Sequence, residues 1–492
     1  MSEYVLGIDQ STQGTKVILV NSNGELMDVI SKNHRQIVTR EGWVEHDPEE
    51  IYSNLLELIN VMLLKYNSIK DDIKVVGLCN QRETVVAWNR NSGRPLFNAV
   101  VWQCGRAQKI TDRIIENKLG DVIKRKTGVP VSPFYSAAKI SWLIEYVDEI
   151  REKKDSNKIC FSTVDTWLIF KLCGGNPKTD FSNAARTQLF NIHDLSWDQE
   201  ICDIFNIPLN SLPEVFPSDS IFGYTDFEGM LTNKIPIHAV LGDSNGAMYA
   251  QECHNKGDVK ATYGTGSSVM MNIANDPILS DEGIVTSLGW YTNNKPTYVF
   301  EGNINYAGAV TQWLVDKVKL LDNASDAGTI ANNAKDISGL YLIPAFTGLG
   351  APYWKNDARA MIYGMDRNTG YAEIIRASEE CIAYQIHDII KIMEMEISEP
   401  IRELRVDGAP TRDKFLMQFQ SDILNSDVKT SKITELSGFG AALMAGVGSG
   451  VMDKSSTLNK KFSIVYTPGM DNETRLNKIK GWKVALNLLL QE

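Results

Sequence analysis

The sequence predicts an α/β protein of two similar lobes that face each other across a central cleft. Three observations carry that prediction. Short apolar runs of strand length alternate with stretches whose apolar residues recur at helical spacing. A strand ending in Asp, together with a hairpin turn of Gly, Thr and Ser, occurs near the N-terminus and again after residue 240. At 492 residues the chain is longer than a single core supports. The recurrence is one of chemistry rather than of residue identity. It places the boundary near residue 245, giving lobes 1–245 and 246–492 of mixed sheets flanked by helices. No low-complexity linker separates the halves, so the lobes are expected to share a substantial interface.

The elements follow in order. Tyr4–Ile8 is short and apolar, Asp9–Thr15 is rich in Gly, Ser and Thr, and Lys16–Val20 is apolar again, which reads as an antiparallel hairpin. Asn21–Gly24 (NSNG) carries turn chemistry. Ile51–Leu64 has helical spacing, and Val75–Leu78 is a buried strand ending at Asn80-Gln81-Arg82-Glu83. In the second half, His238–Leu241 is a strand ending in Gly242-Asp243-Ser244-Asn245-Gly246, where a helix is expected to start. Lys260–Tyr263 then leads into Gly264-Thr265-Gly266-Ser267-Ser268 and the apolar run Val269–Ile273.

Composition narrows the class. Hydrophobic residues at 43% and charged residues at 23% fit an ordinary globular protein. The net charge of -11 argues against a nucleic-acid partner, so any anionic ligand must be held locally by loop amides, helix N-termini or a metal ion. Seven scattered cysteines without a CxxC pair suggest neither a disulfide framework nor a zinc site. The start MSEYVLGIDQ lacks signal-peptide character, and no apolar stretch approaches the roughly 18 residues of a membrane span. A cytoplasmic location is expected, with no membrane association.

Four constellations carry chemistry. Asp9 through Lys16 (DQSTQGTK) forms a turn whose small residues let backbone amides approach a phosphate, while its hydroxyls add donors. Asp9 at the strand end is positioned to hold hydrated Mg²⁺, and Lys16 offers a point charge; a plain polar turn is the alternative. Gly264-Thr265-Gly266-Ser267 is a second such turn, and two of them, each near an Asp at a strand end, favour phosphate binding. Asp243 suits either a helix N-cap or a general base accepting a proton from an attacking hydroxyl. Arg82-Glu83 is either a structural ion pair or a donor–acceptor grip on adjacent hydroxyls, and Trp102, Phe134 and Tyr135 could pack against the carbon face of a polyol or belong to the core.

Assembled, these segments resemble the FGGY carbohydrate kinases, and within them the glycerol kinase-like branch. The resemblance runs through GIDQSTQGTK (7–16), EGWVEHDPEEI (41–51), NQRET (80–84), NAVVWQC (98–104), VDTWLI (164–169) and FNIHDLSWD (190–198). It continues through GD (242–243), TYGTGS (262–267), EGNINYAGAVTQWL (301–314), IPAFTGLGAPYW (343–354), RVDGAP (405–410), FLMQFQSDIL (415–424) and GFGAALMAG (438–446). It implies two ribonuclease H-like (actin-like ATPase) lobes, ATP with Mg²⁺, phosphorylation of a small polyol or sugar, and a homo-oligomer, dimer or tetramer. A ketose kinase is the alternative activity, and a non-catalytic actin-like ATPase or sugar-binding protein a remoter one. Position by position, Asp9 resembles the Mg²⁺/phosphate aspartate and Asp243 the catalytic base and second metal-side carboxylate. Ser11, Thr12, Gln13 and Lys16 match the first phosphate loop and Thr265 the second. Gly308, Gln312, Gly408 and Ala409 match the nucleotide side, and Arg82, Glu83 and Trp102 the polyol side.

Departures from the glycerol kinase pattern concentrate around the polyol. Phe134-Tyr135 stands where that pattern writes Tyr-Phe, Ser244 where it writes Gln, and Ser268 where it writes Phe. These exchanges open volume and add hydroxyls, so a polyol longer than glycerol is expected. On the nucleotide side Ser11 replaces a Gly and Gly408-Ala409 replaces Gly-Gly. Phe227–Lys234 (FEGMLTNK) lacks the Gly- and Arg-containing pattern of an allosteric sugar-bisphosphate loop, so no such control is expected.

Overall fold

Tyr4–Gln10 organises the first lobe because both its neighbours are pinned in register. It pairs antiparallel with Gly14–Asn21, setting Asp9 opposite Lys16, and parallel with Ile73–Asn80, setting Asp9 beside Cys79. Ile73–Asn80 in turn runs parallel to Ile235–Gly242, with Asn80 beside Gly242. Every residue from Val5 to Gln10 is buried, as expected of a strand covered on both faces. The computed structural model describes residues 3–336, 339–454 and 462–491. Its first sheet has the order Gly223–Thr225, Ile235–Gly242, Ile73–Asn80, Tyr4–Gln10, Gly14–Asn21, Leu26–Asn33.

The second lobe repeats this plan. Val259–Tyr263 pairs antiparallel with Ser267–Asn272 and parallel with Glu403–Asp407, which runs parallel to Asp427–Ser431. A third antiparallel strand joins each hairpin, Leu26–Asn33 in the first sheet and Lys295–Ile304 in the second. The recurrence read from two short turns is thus a duplicated sheet topology. Two lobes of this kind are the fold class expected from the sequence.

The chain passes from one sheet to the other through the helix Asp243–Ala250, so residue 245 lies inside a helix. The helix Leu436–Gly448, although it comes late in the chain, lies on the first sheet and against Asp243–Ala250. Glycines permit that approach: a Cβ on Gly77 would sit 2.1 Å from Ala441 O, and one on Gly440 would sit 1.9 Å from Gly246 O. One apolar cluster joins Val5, Ile18 and Leu241 of the first sheet, Met248 and Phe439 of these helices, and Met270 and Val299 of the second sheet. The interface is therefore core-like. Among the described residues no helix is long and apolar enough to cross a membrane, and all seven cysteines are free thiols.

Candidate active site

The carboxyl ends of three parallel strands meet at one edge of the first sheet, the usual place for a ligand in an open α/β sheet. They deliver Asp9, Arg82-Glu83 and Asp243 to one neighbourhood. The first hairpin tip is closed by Ser11, whose amide (2.9 Å) and hydroxyl (3.0 Å) both donate to Gly14 O. Thr12 is tethered twice: its hydroxyl accepts from Trp102 Nε1 at 2.8 Å and its carbonyl from Gln36 Nε2 at 2.8 Å. Trp102 thus ties its own segment to the tip of the first hairpin, rather than serving only as core.

The second tip closes with Gly264 N donating to Gly266 O at 2.8 Å. It is stitched to the helix Gly308–Trp313 by Gly308 N donating to Gly264 O (2.9 Å) and Ala309 N to Thr265 O (3.1 Å). Thr265, Gly308, Gln312 and Ala409 line a cavity of about 860 Å³, within the size range of small-molecule sites. Gly408 lies beneath this wall. Its φ is 99°, and a Cβ there would sit 1.9 Å from Tyr263 O, so glycine is required for the turn. Sequence reasoning missed three acidic groups of this cavity, Asp316, Glu379 and Asp413. Burial, reinforced by the charge of Asp413, pushes the Glu379 carboxyl up to about 8, and Thr311 Oγ1 donates to it at 2.8 Å.

Asp9 is 4% exposed, and burial pushes its carboxyl up to about 6, with Lys16 opposing and the charge of Asp243 reinforcing the shift. Cys79 Sγ donates to Asp9 Oδ1 at 3.4 Å. Lys16 is ion-paired to Glu435, so its ammonium bridges the first hairpin to the helix Leu436–Gly448. Asp243 is the first helical residue, one place past the N-cap, a position held by Gly242 with no side-chain capping bond. Its Oδ1 accepts only from the adjacent Ser244 N, at 2.6 Å, and 31% of the side chain is exposed. The N-cap explanation for Asp243 therefore fails, and its carboxylate is open to the cleft.

Two neighbouring carboxylates, one of them buried at a cost to its charge, are a fitting place for a divalent cation. Among the described residues no group of three or more His, Cys, Asp or Glu could cage a metal. That donor set matches Mg²⁺, which binds through one or two carboxylates and takes its remaining oxygens from phosphates and water.

Arg82 and Glu83 sit in a buried network of four charges. Arg82 Nη2 and Nη1 donate to the two carboxylate oxygens of Glu301 at 2.8 and 2.9 Å. Arg186 Nε donates to Glu83 Oε1 at 2.6 Å, and its Nη1 lies 3.3 Å from Glu301 Oε2. All four side chains are at most 6% exposed. The side edge of Arg82 faces Ser244 Oγ (3.3 Å from Nη2) and Asp243 Oδ1 (3.5 Å from Nε). Both members of the pair that the sequence suggested as a grip on two hydroxyls thus carry buried ionic partners, and Arg82 keeps longer contacts at its side edge.

Trp102 and Phe134 pack edge-to-face at 5.3 Å, Phe134 and Tyr135 likewise at 5.3 Å, and the Arg186 guanidinium lies over the Tyr135 ring at 5.2 Å. Lys139, fully buried, donates to the carbonyls of Phe134 and Tyr135 and holds this aromatic turn in place. Ser268 pairs across strands with Thr262 on one side and Asn303 on the other. Directly opposed residues share a face, and Asn303 Nδ2 donates to Glu301 at 3.2 Å, so Ser268 belongs to the face that meets Arg82. Its Oγ is buried and has no hydrogen-bond partner.

Comparison with known proteins identifies the family. The N-terminal domain of the FGGY family of carbohydrate kinases matches residues 4–249, and the C-terminal domain of that family matches residues 259–449. The chain is 44% identical to glycerol kinase 1 of Thermotoga maritima over 99% of this chain and 100% of that one. It is 40% identical to the glycerol kinase of Petrotoga mobilis, covering 99% and 98% of the two chains. Among solved structures, Plasmodium falciparum glycerol kinase with ADP superposes with a TM-score of 0.94 at 37% identity, covering 99% of this chain and 98% of that one. Xylulose kinase from Lactobacillus acidophilus shares the fold, with a TM-score of 0.88 at 23% identity and coverage of 99% and 97%. With both family domains matched in order and curated relatives aligned end to end, the chain belongs to the FGGY family of carbohydrate kinases.

Proposed function

We propose that this protein transfers the γ-phosphoryl group of ATP to a hydroxyl of a small polyol, with Asp243 as the general base. The carrying observation is the position of Asp243: open to the cleft, uncommitted as a cap, and electrostatically coupled to buried Asp9. The substrate oxygen attacks the γ-phosphorus, the β–γ bond breaks with its electron pair leaving on ADP, and Asp243 takes the hydroxyl proton as the new O–P bond forms. Asp9 and Asp243 would hold Mg²⁺, which supplies neutralisation of phosphate charge when bound. Backbone amides at Thr12, Gln13 and Thr265 approach the phosphates, with Ser11 closing the first turn through its two bonds to Gly14 O. Gly308, Gln312, Gly408 and Ala409 shape the nucleotide cavity, with residues 1–245 bearing the polyol side and first phosphate loop and 246–492 the nucleotide side.

The polyol is longer than glycerol. Support comes from Ser268, whose buried hydroxyl lacks a partner on the Arg82 face, and from Ser244, whose hydroxyl is only loosely held at 3.3 Å. A buried polar group without a partner carries a penalty of about 1–3 kcal/mol, which a substrate hydroxyl relieves. The relatives named glycerol kinase support the polyol class. The protein is further taken to act in the cytoplasm as a homo-oligomer, and light scattering tests the latter. The activity is tested by ADP release against glycerol, tetritols, pentitols and pentuloses. Stimulation by four- or five-carbon polyols above glycerol is expected. Stimulation by pentuloses alone would make it a ketose kinase, and stimulation by none would defeat the kinase assignment.

A further inference from the structure

We propose that Glu301 is a positioning residue for phosphoryl transfer, acting through Arg82 on Asp243. The proposal rests on the kinase reading above and adds a residue to which the sequence reading gave no role. Glu301 comes from the strand Lys295–Ile304 of the second sheet, whereas Arg82 and Asp243 sit at the carboxyl edge of the first. Its side chain is fully buried between two arginines.

Geometry assigns the role. A guanidinium is planar, and a carboxylate that takes both terminal nitrogens fixes its plane and its direction together. Glu301 does this at 2.8 and 2.9 Å, the two shortest contacts that Arg82 makes. The other edge of the same plane, Nε with Nη2, is then aimed at Asp243 Oδ1 (3.5 Å) and Ser244 Oγ (3.3 Å). Those contacts are too long to orient the arginine themselves. The tight fork therefore decides where the loose edge points, and the positive charge of that edge, 3.5 Å from Asp243 Oδ1, biases the carboxylate that Ser244 N holds at 2.6 Å. Arg186, held by Glu83 at 2.6 Å, buttresses Glu301 from its far side at 3.3 Å.

The same observations would also follow if Glu301 only neutralised buried arginines, so the test must separate aim from stability. Three variants suffice: Glu301→Gln, Arg82→Gln and the double variant, each measured for kcat, polyol KM, ATP KM and melting temperature. The double variant keeps a neutral amide pair and leaves Arg186–Glu83 intact, so it holds the test if a single charge loss unfolds the protein. Displacement of a catalytic group by about 1 Å costs on the order of hundredfold in rate. Glu301→Gln is therefore expected to lower kcat about hundredfold while leaving the ATP KM unchanged. The double variant should recover melting temperature but keep the kcat of Arg82→Gln alone. Wild-type kcat in a Glu301→Gln protein that merely melts earlier would overturn the proposal. So would a double variant whose kcat differs from that of Arg82→Gln, whether restored or reduced by the product of the two losses. If wild type phosphorylates no polyol while retaining its fold, the kinase reading fails and takes this proposal with it.

Discussion

Ser268 offers the sharpest perturbation, because its hydroxyl is buried and unpartnered on the face that carries Glu301 and Asn303. Replacement by Ala removes one donor–acceptor and little else. The strand keeps its register with Thr262 and Asn303, and no internal hydrogen bond of that hydroxyl is lost. For a polyol long enough to reach Ser268, the variant leaves a substrate hydroxyl desolvated without a partner, a penalty of about 1–3 kcal/mol. At 1.4 kcal/mol per tenfold, kcat/KM should fall about 5- to 150-fold for the preferred four- or five-carbon polyol. For glycerol, which is too short to make the contact, kcat/KM should change less than about twofold. Ser268→Phe should go further, filling the added volume and reversing the preference toward glycerol. The assay is initial-rate ADP release over a full concentration series of each polyol. Equal losses for every polyol, or glycerol as the best substrate of the wild type, would refute the role given to Ser268.

Two further predictions concern the nucleotide side. Glu379 has a folded-state pKa raised from 4.5 to about 8, so the folded protein keeps a proton that the unfolded chain releases. Its burial therefore subtracts stability progressively as pH rises through that window, with the full cost present above about pH 8. Glu379→Gln should melt higher than wild type at pH 9 and nearly match it at pH 4.5; parallel melting profiles would contradict the shift. Gly408→Ala should lower the melting temperature and weaken ATP binding measured by calorimetry, since φ of 99° costs a side chain about 1–3 kcal/mol before the 1.9 Å clash with Tyr263 O. Unchanged stability would mean that this turn relaxes freely.

Much of the fold was legible because its signals are local. The DQSTQGTK and GTGSS turns are short, chemically distinct and flanked by apolar runs, so both hairpins and both strand-end aspartates could be placed from neighbours alone. The duplicated topology was visible only as repeated chemistry, since the two sheets share no stretch of identical residues. Contacts made at long range were not legible. Lys16 meets Glu435 and Arg82 meets Glu301, 419 and 219 residues apart, and nothing beside Glu435, Glu301 or Arg186 announces the partner. A charge directly after the apolar run Tyr298–Phe300, still within the strand, was the one available hint for Glu301. The helix Leu436–Gly448 departs from the linear division at residue 245 for a similar reason. Its small residues suit close packing anywhere, and only the glycines at 7, 77 and 246 show that the first sheet is its seat.

The most direct measurement is rapid-quench transfer of γ-labelled phosphate from ATP to the preferred polyol, by wild type and by Asp243→Asn. The asparagine keeps the acceptor for Ser244 N and leaves the Arg82–Glu301 fork intact, so the fold should persist. Removal of a general base costs about 10²–10⁴-fold. Wild type should yield phosphorylated polyol and ADP in equal amounts, and Asp243→Asn should reduce the transfer rate by at least that factor at saturating ATP and Mg²⁺. Transfer at the wild-type rate by the asparagine variant would contradict the assignment of Asp243 as the base.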